Sequence, residues 1–200
     1  TYPRMQNLTS EDFANSGLLP ADSSAAATTL HLISGENLAD FTNSLSATDQ
    51  QWLTRQSFTA KAGQVAWLEN GDGVLGKADA DSLATLGHMP YTLPEGVYRL
   101  AEATTFITLL GWGLGSYSFN RYKAAERGPA QLILPESADA AELVNTVAAT
   151  YLTRDLINTP AQDMAPSHLQ AEVEALATTF EASVSTCLLY TSPSPRDTSS

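Results

Sequence analysis

Two prolines six residues apart constrain this chain more than any other feature. They sit in Tyr151–Leu169, YLTRDLINTPAQDMAPSHL. A residue before proline is pushed out of the α region, so a helix arriving at Thr159-Pro160 should end near Asn158. Asn tolerates the left-handed conformation at a helix end. Pro166 suits the first turn of a new helix, where its missing N–H is not needed. The stretch therefore predicts a helix, a pinned loop and a second helix, and by itself implies no chemistry.

Upstream, short strand signals alternate with helical ones. Residues 1–27 are rich in Ser, Ala and Asp and predict a loose lead-in. Thr28–Ser34 reads as a strand carrying His31, a lone His without a metal-spaced partner and so structural. Glu36–Leu45 and Ser46–Phe58 read as helices, with Thr48 and Gln51 spaced as a capping box. Gln64–Glu69 and Gly73–Lys77 flank the turn formers Asn70-Gly71-Asp72, a hairpin signal. The same residues contain Gly71-x-Gly73-x-x-Gly76, with Glu95 where a ribose-binding acid would stand. The hairpin excludes a nucleotide fingerprint, because these glycines continue as a strand instead of opening a helix.

Ala80–Leu86 predicts a short helix, Gly96–Ala101 a strand, and Thr104–Lys123 a long helix. Gly111, Gly113 and Gly115 each cost that helix about 1 kcal/mol relative to Ala, which close packing against a neighbour would explain. A phosphate-cradling role is rejected because no Lys-Ser/Thr pair follows. Trp112, Tyr117, Phe119 and Tyr122 are expected in the core. Arg121, Lys123 and Arg127 are expected as a solvated helix end. Gln131–Leu134 predicts a buried strand, followed by a helix capped by Ser137 with Leu143, Val144, Val147 and Tyr151 on one stripe. After the joint, Leu169, Val173, Leu176 and Phe180 form another apolar face, and Glu181–Ser185 begins a strand. The alternation predicts an α/β protein.

The totals exclude several classes. Lys and Arg number 10 against 22 Asp and Glu, a net charge of −12. That balance disfavours nucleic acid and anionic membranes as partners, since both need clustered cations. Apolar residues make up 43% and charged ones 16%, a globular composition. No apolar run reaches the roughly 18–20 residues of a spanning helix. No secretory h-region is visible at the N-terminus, and the missing initial Met suggests that the true start lies upstream. Cys187 is the only cysteine, so neither a disulfide framework nor a cysteine metal site is available. A cytoplasmic location agrees with this.

TRDLINTPAQDMAPSHL closely resembles the segment joining the two domains of the leucyl aminopeptidase (cytosol aminopeptidase, M17) family, which reads like ARDLVNTPANDLxPxxL. The matching positions are Arg154, Asp155, Leu156, Asn158, Thr159, Pro160, Asp163, Pro166 and Leu169. Thr108–Lys123, TLLGWGLGSYSFNRYK, is similar to a stretch those enzymes carry earlier. The resemblance covers roughly Gln51–Ser185 and is thin before Gln51. It implies a small N-terminal α/β domain over 28–135, a linking helix over 136–158 and the start of a truncated α/β catalytic domain over 159–186. It further implies a cytosolic metallo-exopeptidase that removes N-terminal amino acids, preferably apolar ones, from peptide substrates. The intact enzyme would hold two divalent ions, zinc or manganese, and assemble as a homo-hexamer.

The family's metal-binding motif, NTDAEGRL, is absent, and its metal and catalytic residues lie beyond the joint. No catalytic, cofactor-binding or metal residue can therefore be assigned here, and the fragment is expected to be inactive. Asp155 and Asp163 belong to the joint, with capping and loop-pinning roles.

Cys187–Asp197, CLLYTSPSPRD, resembles one reading frame of a transposase-type sequencing adapter, so residues 187–200 are expected to be non-native and to have no packed structure. A Ser/Pro linker or tail is the alternative. The native segment is expected to end near Ser185 or Thr186. The alternative to an enzyme fragment is a stand-alone binding or oligomerisation module without catalysis; a strand cut short at Ser185 disfavours it.

Overall fold

A computed structural model describes Phe13 and residues 16–186. The chain divides into two compact units between Asp155 and Leu156. The larger is built on a six-stranded sheet: β1 Leu18–Leu19, β2 Thr28–Ile33, β3 Val65–Trp67, β4 Gly73–Gly76, β5 Val97–Leu100 and β6 Gln131–Ile133. The order is β1-β6-β5-β2-β4-β3, parallel throughout except for the antiparallel edge pair β3–β4. Among the described residues six helices accompany it: α1 Leu38–Ser44, α2 Ala47–Arg55, α3 Leu83–Gly87, α4 Met89–Thr92, α5 Phe106–Gly115 and α6 Ala140–Asn158, whose last residues belong to the smaller unit; that unit also holds α7 Pro166–Thr179. This is the α/β class the alternation predicted.

Side-chain alternation along the strands gives the sheet two buried faces. Leu30, Leu32, Leu75 and Leu132 pack with Trp112 of α5 and Leu143 of α6. Ile33, Val74 and Ala66 pack with Leu53 of α2 and Phe58. The chain leaves β2 towards β4 and leaves β5 towards β6, so its direction reverses between neighbours β2 and β5. In parallel sheets such a switch point opens a crevice at the carboxyl ends of the strands.

Asn70-Gly71-Asp72 turns as predicted, with Gly71 at φ 89°. β4 runs through Gly73–Gly76, so these glycines open no helix and the nucleotide fingerprint is indeed a hairpin. α6 ends at Asn158 and α7 begins at Pro166, as the two prolines require.

Other expectations are corrected. Leu18–Leu19 lies within the stretch expected to be a loose lead-in, yet it pairs with β6 and fully buries Leu18. Two residues are too few to show a period. The helix at 46–58 is capped by Ser46, whose Oγ accepts the Asp49 N–H at 3.1 Å; Thr48 is already inside it. Asp139, not Ser137, caps α6, its carboxylate accepting the Glu142 N–H at 3.0 Å.

The helix expected over 104–123 is only α5, and residues 117–130 are irregular. Gly111 and Gly115 explain both its tolerance and its end. An added Cβ would stand 2.2 Å from the Leu83 carbonyl oxygen at Gly111, and 1.8 Å from that of Gly87 at Gly115. The glycines let α5 touch the backbone of α3, the close packing they were expected to serve. Of the expected core aromatics, Trp112 is fully buried while Tyr122 is 52% exposed. Residues 182–186 form no strand, since a strand exists only against a neighbour. The tail over 187–200 lies outside the described residues.

Candidate functional site

A helix leaves its last carbonyls without intrahelical partners. At the end of α5 three side chains from distant parts of the larger unit answer that need. The Tyr151 hydroxyl donates to the Gly113 carbonyl, Arg154 Nη1 to that of Leu114 at 2.8 Å, and the Tyr91 hydroxyl to that of Ser116 at 3.3 Å. Tyr117, just past the helix, donates its hydroxyl to Asp155 Oδ1 at 2.7 Å. Its ring meets Tyr151 edge-on at 5.0 Å, and the Arg154 guanidinium lies 5.2 Å from its centroid. Burial pushes the Tyr151 phenol above its ordinary value, so it remains a hydrogen-bond donor.

These groups border an open groove of about 840 Å3 in the larger unit. Its apolar floor includes Val144, Val147, Ala148 and Leu152 of α6. Tyr91, Tyr117 and Tyr151 line it, as does the irregular loop after α5, which contributes Ser118 and Asn120. Arg127 staples that loop in place: Nη1 donates to Leu93 O at 2.9 Å and Nη2 to Pro90 O at 3.4 Å, with the guanidinium 5.6 Å from the Tyr91 centroid. Both acceptors are neutral carbonyls, so neither offsets the positive charge of the guanidinium at the groove wall.

The switch-point crevice is occupied by the protein's own side chains. Glu102 follows β5, and its Oε2 accepts the Leu32 N–H at 3.0 Å, extending the β2 ladder past the end of β5. Its Oε1 lies 3.1 Å from His31 Nδ1, and the His31 ring packs 5.2 Å from Phe41. The hydrogen bond to Glu102 raises the His31 pKa against the opposing effect of burial. Burial works to raise Glu102, but the bonds from His31 and Leu32 outweigh it and hold the carboxyl below its usual range.

His31 is thus tied to a carboxylate. Arg127 is not the solvated helix end expected of it, whereas Arg121 and Lys123 are exposed in the loop. Asp155 meets Tyr117, and Asp163 sits in the turn after Pro160, its N–H bonded to the Pro160 carbonyl at 2.9 Å. The Asp155 carboxylate thus serves a contact 38 residues back along the chain rather than a cap or a pinned loop. Sequence reading missed the groove because Tyr91, Tyr117 and Tyr151 are far apart in the chain. The only advance signal was the cluster of aromatics and cations after Gly115.

A two-metal centre needs clustered donors. Among the described residues no group of three or more His, Cys, Asp or Glu side chains is placed to hold an ion. The nearest approach, His31 with Glu102, offers one imidazole and a carboxylate whose two oxygens are both engaged. The residues present do not fit such a centre. Among the described residues no helix is long and apolar enough to cross a membrane.

Residues 28–135 match the family described as M17 aminopeptidase, N-terminal domain. No curated protein matches the sequence. The structure is similar to that of the cytosol aminopeptidase from Coxiella burnetii, at 29% identity and a TM-score of 0.74, over 82% of this chain and 38% of that one. A mutant of tomato leucine aminopeptidase matches in fold at 16% identity and TM-score 0.58, over 82% and 42% of the two chains. The bottromycin maturation enzyme BotP matches in fold at 21% and 0.55, over 77% and 38%. The chain therefore spans well under half the length of each.

Proposed function

The chain belongs to the M17 aminopeptidase family, and from that premise we propose that it is the N-terminal part of a leucyl-aminopeptidase-type metallo-exopeptidase. The full-length protein would remove N-terminal amino acids, preferably apolar ones, from peptides in the cytoplasm, working as a homo-hexamer. One observation carries this reading: the family match over 28–135 coincides with a fold similar to 38% of a cytosol aminopeptidase. On this reading 28–135 is the N-terminal domain, 136–158 the linking helix and 159–186 the beginning of the catalytic domain.

Paired zinc or manganese ions in the full-length enzyme would lower the pKa of a bridging water and polarise the scissile carbonyl. The donors for those ions belong to the part of the protein outside this chain, so the 200-residue chain is inactive.

The gene should first be sequenced across the codons for Glu181–Asp197. A frame that runs on into a carboxylate-rich NTDAEGR region supports the reading; one that encodes CLLYTSPSPRD and stops favours a binding module without catalysis. The 200-residue chain and the longer product are then assayed on leucine p-nitroanilide with added Mn2+ or Zn2+. The longer product should hydrolyse it and lose activity to a chelator, while the 200-residue chain matches the blank. Hydrolysis by the 200-residue chain, or none by the longer product, overturns the proposal.

A further inference from the structure

We infer that the tyrosine-lined groove is a peptide-binding exosite, which takes a short extended peptide with apolar side chains and a free C-terminal carboxylate. This rests on the aminopeptidase reading only in supplying peptides as the protein's substrates; the site itself follows from geometry and chemistry. The groove follows α6 from Val144 to Asp155, twelve residues, a rise of ~16 Å along the helix. That length holds about five residues of extended chain. Its volume of about 840 Å3 is in the range of ligand clefts, and far exceeds what a single amino acid fills.

The lining selects the occupant. Aliphatic side chains of α6 offer an apolar floor, and the three tyrosines offer flat amphipathic walls of the kind enriched where peptides and proteins dock. A peptide backbone also needs hydrogen-bond donors. The Asn120 carboxamide oxygen is taken by the Ser118 hydroxyl at 2.7 Å, and its NH2 has no partner among the described residues. The charge points the same way. In a chain of net charge −12, Arg127 presents a guanidinium held, among the described residues, by carbonyl oxygens and the Tyr91 ring, while the carboxylate in the lining, Asp155, is engaged by the Tyr117 hydroxyl. A peptide C-terminus is the anion that carries a backbone and apolar side chains with it. At Tyr91 the wall is ready-made, because the hydroxyl is fixed on Ser116 and the ring is 37% exposed.

The test is a titration of the 200-residue chain, followed by NMR, with an acetylated four-residue peptide carrying leucines at alternate positions. We expect saturable shifts at Tyr91, Tyr117 and Ala148. Ala148→Arg places a long side chain on the groove floor at an exposed helix position and should weaken binding at least about tenfold. Ala149→Arg, exposed on the same helix but outside the groove, should leave it unchanged. Amidating the peptide C-terminus should weaken binding about threefold or more as the Arg127 contact is lost. No saturable shift overturns the inference, as does equal binding by all variants or equal binding of free leucine. Self-association that Ala148→Arg abolishes, without peptide binding, would assign the groove to a second copy and overturn it too. Because the readout is binding to a chain proposed to be inactive, its failure leaves the hydrolysis experiment untouched, and the reverse also holds.

Discussion

Helices α5 and α7 invert what intrinsic preference predicts. α5 is ten residues with three glycines, yet it buries six residues, including Trp112 at 0% exposure. α7 is fourteen residues of mostly good helix formers with Leu169, Val173 and Leu176 on one stripe, yet it buries none. Those three side chains are 44–46% exposed. Propensity differs by about 1 kcal/mol per glycine, while a buried aromatic is worth several times more. A poor helix former is thus held by what surrounds it. A good one forms its stripe whether or not the described residues cover it.

Truncating each helix gives the largest contrast. Trp112→Ala removes a side chain packed against both helices and sheet and should cost about 3–5 kcal/mol. Leu176→Ala should cost under about 0.5 kcal/mol in this chain. Urea unfolding of both variants checks this, and equal costs would erase the distinction between the helices.

Gly115→Ala sharpens the point, since it improves helix propensity while blocking contact with α3. Overpacking typically costs about 1–3 kcal/mol, and a backbone-to-backbone clash belongs at the upper end. Propensity returns about 1, leaving a net loss of about 2 kcal/mol. Gly128→Ala, with open space at its Cβ, is the neutral control. A stabilised Gly115→Ala would mean that propensity rules α5 after all.

The smallest effect is electrostatic. Glu102 stands just ahead of α5 and holds β2 through Leu32 and His31, with Asp72 the other carboxylate acting on His31. The raised His31 pKa contributes stability that is complete below its unfolded value of 6.5 and is lost as pH rises through the folded one. The lowered Glu102 pKa contributes stability that is complete above 4.5 and is lost as pH falls through the folded one. Together they favour the window between 4.5 and 6.5, by under about 1 kcal/mol for a half-exposed pair. Melting of the larger unit should peak there, and Glu102→Gln should flatten the peak. An unchanged pH profile in that variant would count against the clasp.

Local grammar was legible in the sequence. The Asn70-Gly71-Asp72 turn, the helix end at Asn158 and the helix start at Pro166 all depend on backbone chemistry within a few residues. What failed depends on partners far along the chain. Leu18–Leu19 becomes a strand only because β6 lies beside it. Glu181–Ser185 has strand composition and pairs with no strand among the described residues. Thr104–Lys123 kept enough apolar residues to read as one helix, but the carbonyls at its true end are met by Tyr91, Tyr151 and Arg154. The same long-range convergence builds the groove, which is why no local motif announced it.

The seam between α5 and α3 also sets how this gene can drift. Every single-base change in a glycine codon that alters the amino acid without stopping the chain introduces a residue with a Cβ. At Gly111 and Gly115 all such changes meet a carbonyl oxygen within 2.2 Å. The facing positions in α3 are less restricted, because Leu83 and Gly87 present main-chain oxygens that any residue would supply and a Cβ at Gly87 would meet the Gly111 carbonyl oxygen only at an ordinary 3.6 Å. Variation across this contact should therefore be one-sided, more restricted on α5 than on α3.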